Sequence, residues 1–531
     1  MSLAPWRRQQ RAVDVNPQIT QIKNMAFGFW SLAFETNARL RASQEQTPKT
    51  EVQRPYLESV KSVKSVDRLA RLLDPFIFYS VLAVFVLAAI PYGTIEPWWK
   101  AIFECAIFAL GLLWIIEGML SGKWLVRQHR LLVPLIALVA LAVVQITLPL
   151  RSSSVSLLSG TGLHPISFSP YETQLFIYDL MALIVASGLL LRYTTTRSRL
   201  KSLVYVVIGI GLASTGFGLV RRAFQTKPGF LLHFLLPESA EAMGGGGFGQ
   251  FINHNHFAFL AEMSLGLVLG LMLSRPLRMT RLAWCLAVAI PMWIAVVYSG
   301  SRGGLASITV QVLFIALLIF IAKPGRELLR EGTRHDDVRR FGPFLVKRVV
   351  LIASFLIVMV LGIVWVGGDP LAYKLESIRY EFGVKDSDKY TRTYRSSIWP
   401  MTWEMIKDHP IVGVGFGGYW IAITKYHKAS GAYSPQEAHN DYLELLSNGG
   451  LIGVAIGLWF IVGFCKSVLT RLRHRDPLLS ALSIGALAGI FAVAIHSIVD
   501  FGLHITINAL LFVTLMVIAT VTISPSTDYT D

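Results

Sequence analysis

LSALSIGALAGIFAVAIHSIVDFGLHITINALLFVTLMVIATVT, residues 479–522, decides the fold class. Asp500 is its only carboxylate, and it holds no lysine or arginine. A helix needs an apolar run of roughly 17–25 residues to cross a bilayer. The stretch therefore reads as two spans, 479–498 and 501–522, joined by a short turn around Asp500. Working outward, the same criterion gives ten more spans, near 75–92, 98–120, 131–150, 173–191, 202–219, 256–274, 282–299, 303–322, 349–367 and 448–466. The expected fold is an all-α polytopic membrane protein with about twelve transmembrane helices.

Composition agrees. Of 531 residues, 53% are hydrophobic and 15% charged, whereas a soluble chain carries about 25% charged residues. The net charge of +16 fits cytoplasmic loops and anionic headgroups rather than nucleic acid. Cys105, Cys285 and Cys465 each lie in an apolar run, so no disulfide framework is expected outside the membrane. Residues 1–70 lack the short apolar core of a secretory signal.

Lys/Arg asymmetry orients the spans. Alternate loops carry Lys123/Arg127/Arg130, Arg192/Arg197/Arg199/Lys201, Arg275/Arg278/Arg281, eight basic residues from Lys323 to Arg348, and Lys466/Arg471/Arg473/Arg475. The intervening short loops carry few. Both termini are then cytoplasmic, and 151–172, 220–255, 299–303 and 368–447 face outward. The expected organisation is a basic N-terminal segment 1–72, spans one to nine in 73–367, an outer loop domain 368–447, spans ten to twelve in 448–522, and a tail 523–531. Residues 59–73 interleave basic residues with Val and Leu, which suits either the inner leaflet or a disordered tail.

Four polar clusters fall on the outward side. GGGGFGQFINHNHF, 244–257, offers backbone that can approach a ligand, and Asn253 or Asn255 can cap the helix of span six. SGSRGG, 299–304, places Arg302 as the sole charge at a span boundary, where an arginine binds an anion or snorkels to a headgroup. YRSSIWP, 394–400, puts Arg395 at the start of a helix over 395–409 whose apolar face is Ile398, Met401, Thr402, Met405 and Ile406. A cation there opposes the helix dipole, which favours an anionic partner. Pro410 and the glycines of 413–418 follow. EAHNDYLELLSNGG, 437–450, sets His439, Asn440, Tyr442 and Glu444 where the chain re-enters the membrane; His439 can accept a proton, with Asp441 and Glu444 placed to orient it. His496, Asp500 and His504 either line the same cavity or cap two helices. No metal motif stands out: His254 and His256 are two apart rather than four.

Together FINHNHFA (251–258), SGSRGG (299–304), RSSIWPMTWEMIKDHPIVGVGFGGYW (395–420) and AHNDYLELLSNGGLIG (438–453) resemble the O-antigen ligase and Wzy-type polymerase superfamily. The likeness is best over 200–470 and extends to the first five spans by topology alone. It implies a GT-C-like membrane glycosyltransferase of the cell inner membrane with its site facing the periplasm. It further implies inverting, metal-independent transfer of a glycan from an undecaprenyl-diphosphate carrier, without a cofactor. The acceptor would be a hydroxyl on the lipid A core or on a growing glycan. The family's catalytic histidine falls on His439 and its diphosphate-binding arginines on Arg302 and Arg395. Asn253, Asn255, Asn440, Tyr442 and Glu444 would line the substrate. The long N-terminal tail and the basic 323–348 loop depart from the family pattern. A transporter is the alternative, since Glu104, Glu117, Asp179 and Glu262 lie within spans; the polar motifs nevertheless crowd one face rather than the midplane.

The charge asymmetry places Tyr433 and Ser447 outside and Arg334 and Arg473 inside. Single cysteines at 433 and 334, probed with an impermeant thiol reagent on intact spheroplasts, should label only at 433; equal labelling at 334 overturns the topology.

Overall fold

The computed structural model describes residues 53–90, 92–124, 129–151, 163–224, 247–274, 279–322, 395–427, 435–472 and 476–523. Residues 1–67 form one compact unit, of which 53–67 are described and helical. Residues 68–531 form the other.

The second unit is helical. In chain order it contains α1 (Arg68–Ala89), α2 (Pro97–Ser121), α3 (Val133–Thr147), α4 (Pro170–Tyr193), α5 (Arg197–Phe224), α6 (His254–Leu273), α7 (Met279–Ser299), α8 (Arg302–Ala322), α9 (Arg395–Asp408), α10 (Asp441–Leu472), α11 (Pro477–His496) and α12 (Thr506–Thr520). Among the described residues, α1, α2, α4, α5, α6, α7, α10 and α11 are long and apolar enough to cross a membrane. α3, α12 and the Arg302–Leu318 part of α8 are shorter apolar helices. These coincide with the spans expected from hydropathy; the one expected near 349–367 lies outside the described residues. A three-residue ribbon, Pro149–Arg151 against Leu163–Pro165, joins α3 to α4.

Two spans differ in detail from their hydropathy. The last was expected from 501, but its helix starts at Thr506, because Gly502–His504 make a 3-10 turn. The tenth was expected from 448, but α10 begins at Asp441 and breaks at Gly450, where φ is 60° and ψ −164°. The break is a docking point: Leu451 N–H donates to Pro410 O and Ile452 N–H to Ile411 O. The glycine turn after α9 folds onto it, with Val414 and Gly415 N–H bonded to Ser447 and Asn448 carbonyls. Gln145 of α3, fully buried, donates to the carbonyls of Val412 and Asn448 and accepts from Phe416 N–H. A buried amide is costly unless satisfied, and here the turn satisfies it.

α9 forms over the expected residues. Ile398, Met401, Thr402, Met405 and Ile406 are buried on one face. Ile398, Met401 and Met405 build a small core with Val414, Tyr419, Ala422, Ile423 and Ala438.

The core of the bundle is α6, buried along almost its whole length, with α11 against it. The contact is backbone to backbone. Gly266 and Gly270 face Gly485 and Gly489, and a Cβ on Gly485 would lie 2.5 Å from Gly266 O and 2.8 Å from Gly270 Cα. Small residues four apart let helices approach where lipid supplies no hydrophobic drive between them. A methyl group there has only backbone to displace. Gly485→Ala should therefore destabilise the protein by roughly 1–3 kcal/mol, while Gly209→Ala, with nothing within 4 Å of its Cβ position, should not. Thermal unfolding of both variants in the same detergent checks this; equal midpoints would count against the backbone contact.

Candidate active site

Four chain segments meet at one end of the bundle, and Asp500 is where they meet. It lies in the turn between α11 and α12 and is fully buried. Its Oδ1 lies 3.3 Å from His439 Nδ1 and accepts from Phe501 N–H. Its Oδ2 accepts from the Asn255 side-chain amide and lies 3.8 Å from a terminal guanidinium nitrogen of Arg395. Arg395 Nε also donates to Val499 O at 2.8 Å.

The charge state of Asp500 follows from these neighbours. Burial pushes its carboxyl up, but the hydrogen bond and charge of His439, with His256 and His496 behind it, outweigh burial and hold it well below the usual carboxylate range. An ionised carboxylate only accepts. His439 Nδ1 therefore carries a hydrogen, and Nε2 is the ring nitrogen turned away from Asp500.

Local structure puts His439 there. Its φ is 49°, the left-handed region in which a non-glycine residue is strained. Asn440 follows and is spent on the backbone: its Oδ1 accepts from Tyr442 and Leu443 N–H at 3.0 Å each, capping α10. Asp441 N–H donates to Ser497 O, which ties the α10 start to the α11 end. The expectation that Asp441 and Glu444 orient His439 is corrected here. The strained residue lies ahead of the helix and its ring pairs with Asp500, whereas Asp441 and Glu444 occupy the first turn of α10 and turn toward His504.

That second cluster sets three acidic side chains around one imidazole. His504 Nδ1 lies 3.3 Å from Glu437 Oε2, and its Nε2 lies 3.7 Å from both Asp441 Oδ1 and Glu444 Oε1. Burial disfavours a charged His504, but Glu444, Glu437 and Asp441 outweigh it and keep the imidazole protonated well above its ordinary range. Burial also works against the charge of Glu437, but His504 brings that carboxyl down to about 2. Donor atoms of Glu437, Glu444 and His504 lie within 4.8 Å of one another, close enough to hold a metal ion. As they stand the three form an ion-paired cluster, in which His504 would have to lose its proton to ligate an ion. The Phe501 ring stands between the histidines, edge to face with His439 at 4.8 Å, His256 at 5.1 Å and His504 at 5.8 Å.

The remaining site candidates are placed as follows. Asn253 caps α6, accepting from Asn255 N–H at 2.9 Å. Glu444 is buried and accepts from Ala438 N–H. Tyr442 is exposed on α10 and donates its hydroxyl to Ala494 O. Arg302 is the first residue of α8, and the residue after it packs on the α11 end: a Cβ on Gly303 would lie 2.5 Å from the His496 ring and 3.1 Å from Val499 Cγ2. His439, Arg395 and Asn255 are thus brought onto one carboxylate, Arg302 stands at the neighbouring helix start, and Asn253 and Asn440 act as caps. Sequence reasoning missed Arg221, whose guanidinium donates to Gly249 and Phe251 carbonyls and so holds the loop before α6. An arginine pair at a span end gave no signal.

Residues 287–458 match a family model described as O-antigen ligase. The match takes in the SGSRGG, YRSSIWP and HNDYLE clusters. No curated protein matches the chain.

Proposed function

From the match of residues 287–458 to the O-antigen ligase family model, we propose that this membrane enzyme transfers a glycan from undecaprenyl diphosphate to an acceptor hydroxyl. Transfer takes place on the periplasmic face of the inner membrane. The observation that carries the reading is the two-sided use of Asp500, one oxygen on His439 and the other toward Arg395 and Asn255. That shared carboxylate supports reading His439 as the base and Arg395 as the cation beside it.

The mechanism follows from those positions. The acceptor oxygen attacks the anomeric carbon and its proton passes to His439 Nε2. The bond from that carbon to the phosphate oxygen breaks from the opposite side, so the anomeric centre inverts. Undecaprenyl diphosphate leaves as an anion. Arg302 and Arg395 neutralise the charge that grows on the leaving diphosphate, a task suited to a guanidinium fork rather than a point charge. The diphosphate is a good leaving group, so no strong acid or metal is needed. Beyond Phe501, the carboxyl groups of Glu437, Asp441 and Glu444 suit the hydroxyls of the acceptor. The donor and acceptor sides of His439 thereby differ in chemistry. The acceptor is the lipid A core or a growing glycan, and membrane lipids surround the site.

The test is an in vitro assay with purified protein, lipid-linked donor and acceptor. His439→Ala and His439→Gln should each lose roughly 10²–10⁴-fold, because glutamine can hydrogen-bond but cannot take the proton. Asp500→Asn should fall with them. Arg302→Lys and Arg395→Lys should lose most activity with membrane levels unchanged, and wild-type turnover should persist in excess EDTA. A His439→Gln enzyme at wild-type rate, or a rate lost to EDTA and restored by a divalent ion, would replace this mechanism. Deletion of the gene separates the acceptors: loss of all capped lipopolysaccharide marks a ligase, a single-repeat product a polymerase.

A further inference from the structure

Inside the bundle, Glu262 of α6 and His496 of α11 form a pair. Glu262 Oε1 lies 2.7 Å from His496 Nδ1, and both side chains are fully buried. The His496 ring stacks on Phe259 with centroids 4.1 Å apart and planes 17° apart. Glu262 Oε2 and His496 Nε2 have no hydrogen-bond partner among the described residues. Buried pairs of this kind contribute little net stability over apolar residues of the same volume, because desolvation offsets their attraction. Two ionisable groups within the apolar bundle therefore call for a reason other than stability.

Their surroundings supply it. The His496 carbonyl accepts from Val499 N–H at 2.9 Å and from Asp500 N–H at 3.2 Å, closing the turn that follows α11. Val499 then holds Arg395 through its carbonyl, and Asp500 holds His439. The ring of His496 meets α8 at Gly303, next to Arg302, with no room for a Cβ. One residue thus touches the supports of all three reactive groups, and Glu262 fixes how its ring is turned.

We infer that Glu262 and His496 are positioning residues which set Arg302, Arg395 and His439 at the spacing the donor diphosphate requires. The inference rests on the donor reading given above for those three residues. A ring that loses its Glu262 contact is free to rotate. Rotation shifts the first turn of α8 on one side and the 496–500 turn on the other. The two arginines then no longer match one diphosphate. Gly303→Ala reaches the same end from the opposite side, by pushing the ring away.

Binding of undecaprenyl diphosphate to purified protein in detergent, measured by titration calorimetry, provides the test, with transfer kinetics beside it. Glu262→Leu and Gly303→Ala should each weaken binding about tenfold or more, the scale of losing one hydrogen bond to a charged group. They should raise the donor KM and leave the acceptor KM unchanged. Glu262→Gln, which can still bond His496 Nδ1, should restore donor binding, while thermal midpoints of Gln and Leu variants stay together. Since both changes act through one ring, the Glu262→Leu/Gly303→Ala double variant should be no weaker than the weaker single variant. Wild-type affinity in both single variants, fully additive losses, or a Gln variant as weak as Leu would overturn the inference while leaving the donor reading intact. A wild-type protein that binds no undecaprenyl diphosphate would instead overturn the donor reading, and the inference with it.

Discussion

The close approach of α6 and α11 is the constraint on which the site depends. Gly266 and Gly270 meet Gly485 and Gly489 with backbone nearly touching backbone. α6 and α11 run antiparallel, so the start of α6 and the end of α11 come to the same end of the bundle. Asn255 and Glu262 belong to the first, His496 and the turn to Asp500 to the second. A wider crossing would leave Asn255 short of Asp500 and Glu262 short of His496. The packing distance of two apolar helices thus fixes the geometry of the polar groups at their end.

On that frame Asp500 works as an electrostatic junction. A buried carboxylate is stable only when its charge is matched, and its partners come from residues far apart in the chain: His439 61 positions away, Asn255 245 away. Arg395 begins a helix, His439 sits in a strained turn, and Arg302 begins another helix. Arg395 and His439 both bond to the 496–500 turn, and the residue after Arg302 packs on it, so a single short stretch with little chemistry of its own joins the three segments.

How much of this was legible from the sequence depended on the range of the interaction. Spans are local, since apolar length alone specifies them, and the described helices fall where hydropathy puts them. The α9 face was equally plain, because Ile398, Met401, Met405 and Ile406 carry the helical period in their own spacing. The caps at Asn253 and Asn440 were half legible. Their residue types fit both a helix cap and a ligand, and only the backbone bonds show where their oxygens point. The orienting carboxylate was misread. Asp441 and Glu444 are near His439 in sequence, but on a helix the neighbours two and five positions on point elsewhere, and the partner proved to be Asp500 across the bundle. Gln145, Arg221 and the Glu262–His496 pair gave no local pattern, because their partners lie in other helices.

The carboxyl groups of the second cluster are also set apart from the arginine. Glu437, Asp441 and Glu444 gather around His504, Arg395 lies beside Asp500, and the Phe501 ring packs against both His439 and His504. Coulomb interaction falls with distance, so each set acts most strongly on what lies nearest to it. On the proposed reading, the arginine side stabilises negative charge as it develops, and the carboxyl side hydrogen-bonds a hydroxyl-rich acceptor. His439 stands on the boundary, with its hydrogen-bearing nitrogen on Asp500 and its other ring nitrogen turned away. That placement allows a proton to leave the acceptor on one side while charge builds on the donor on the other.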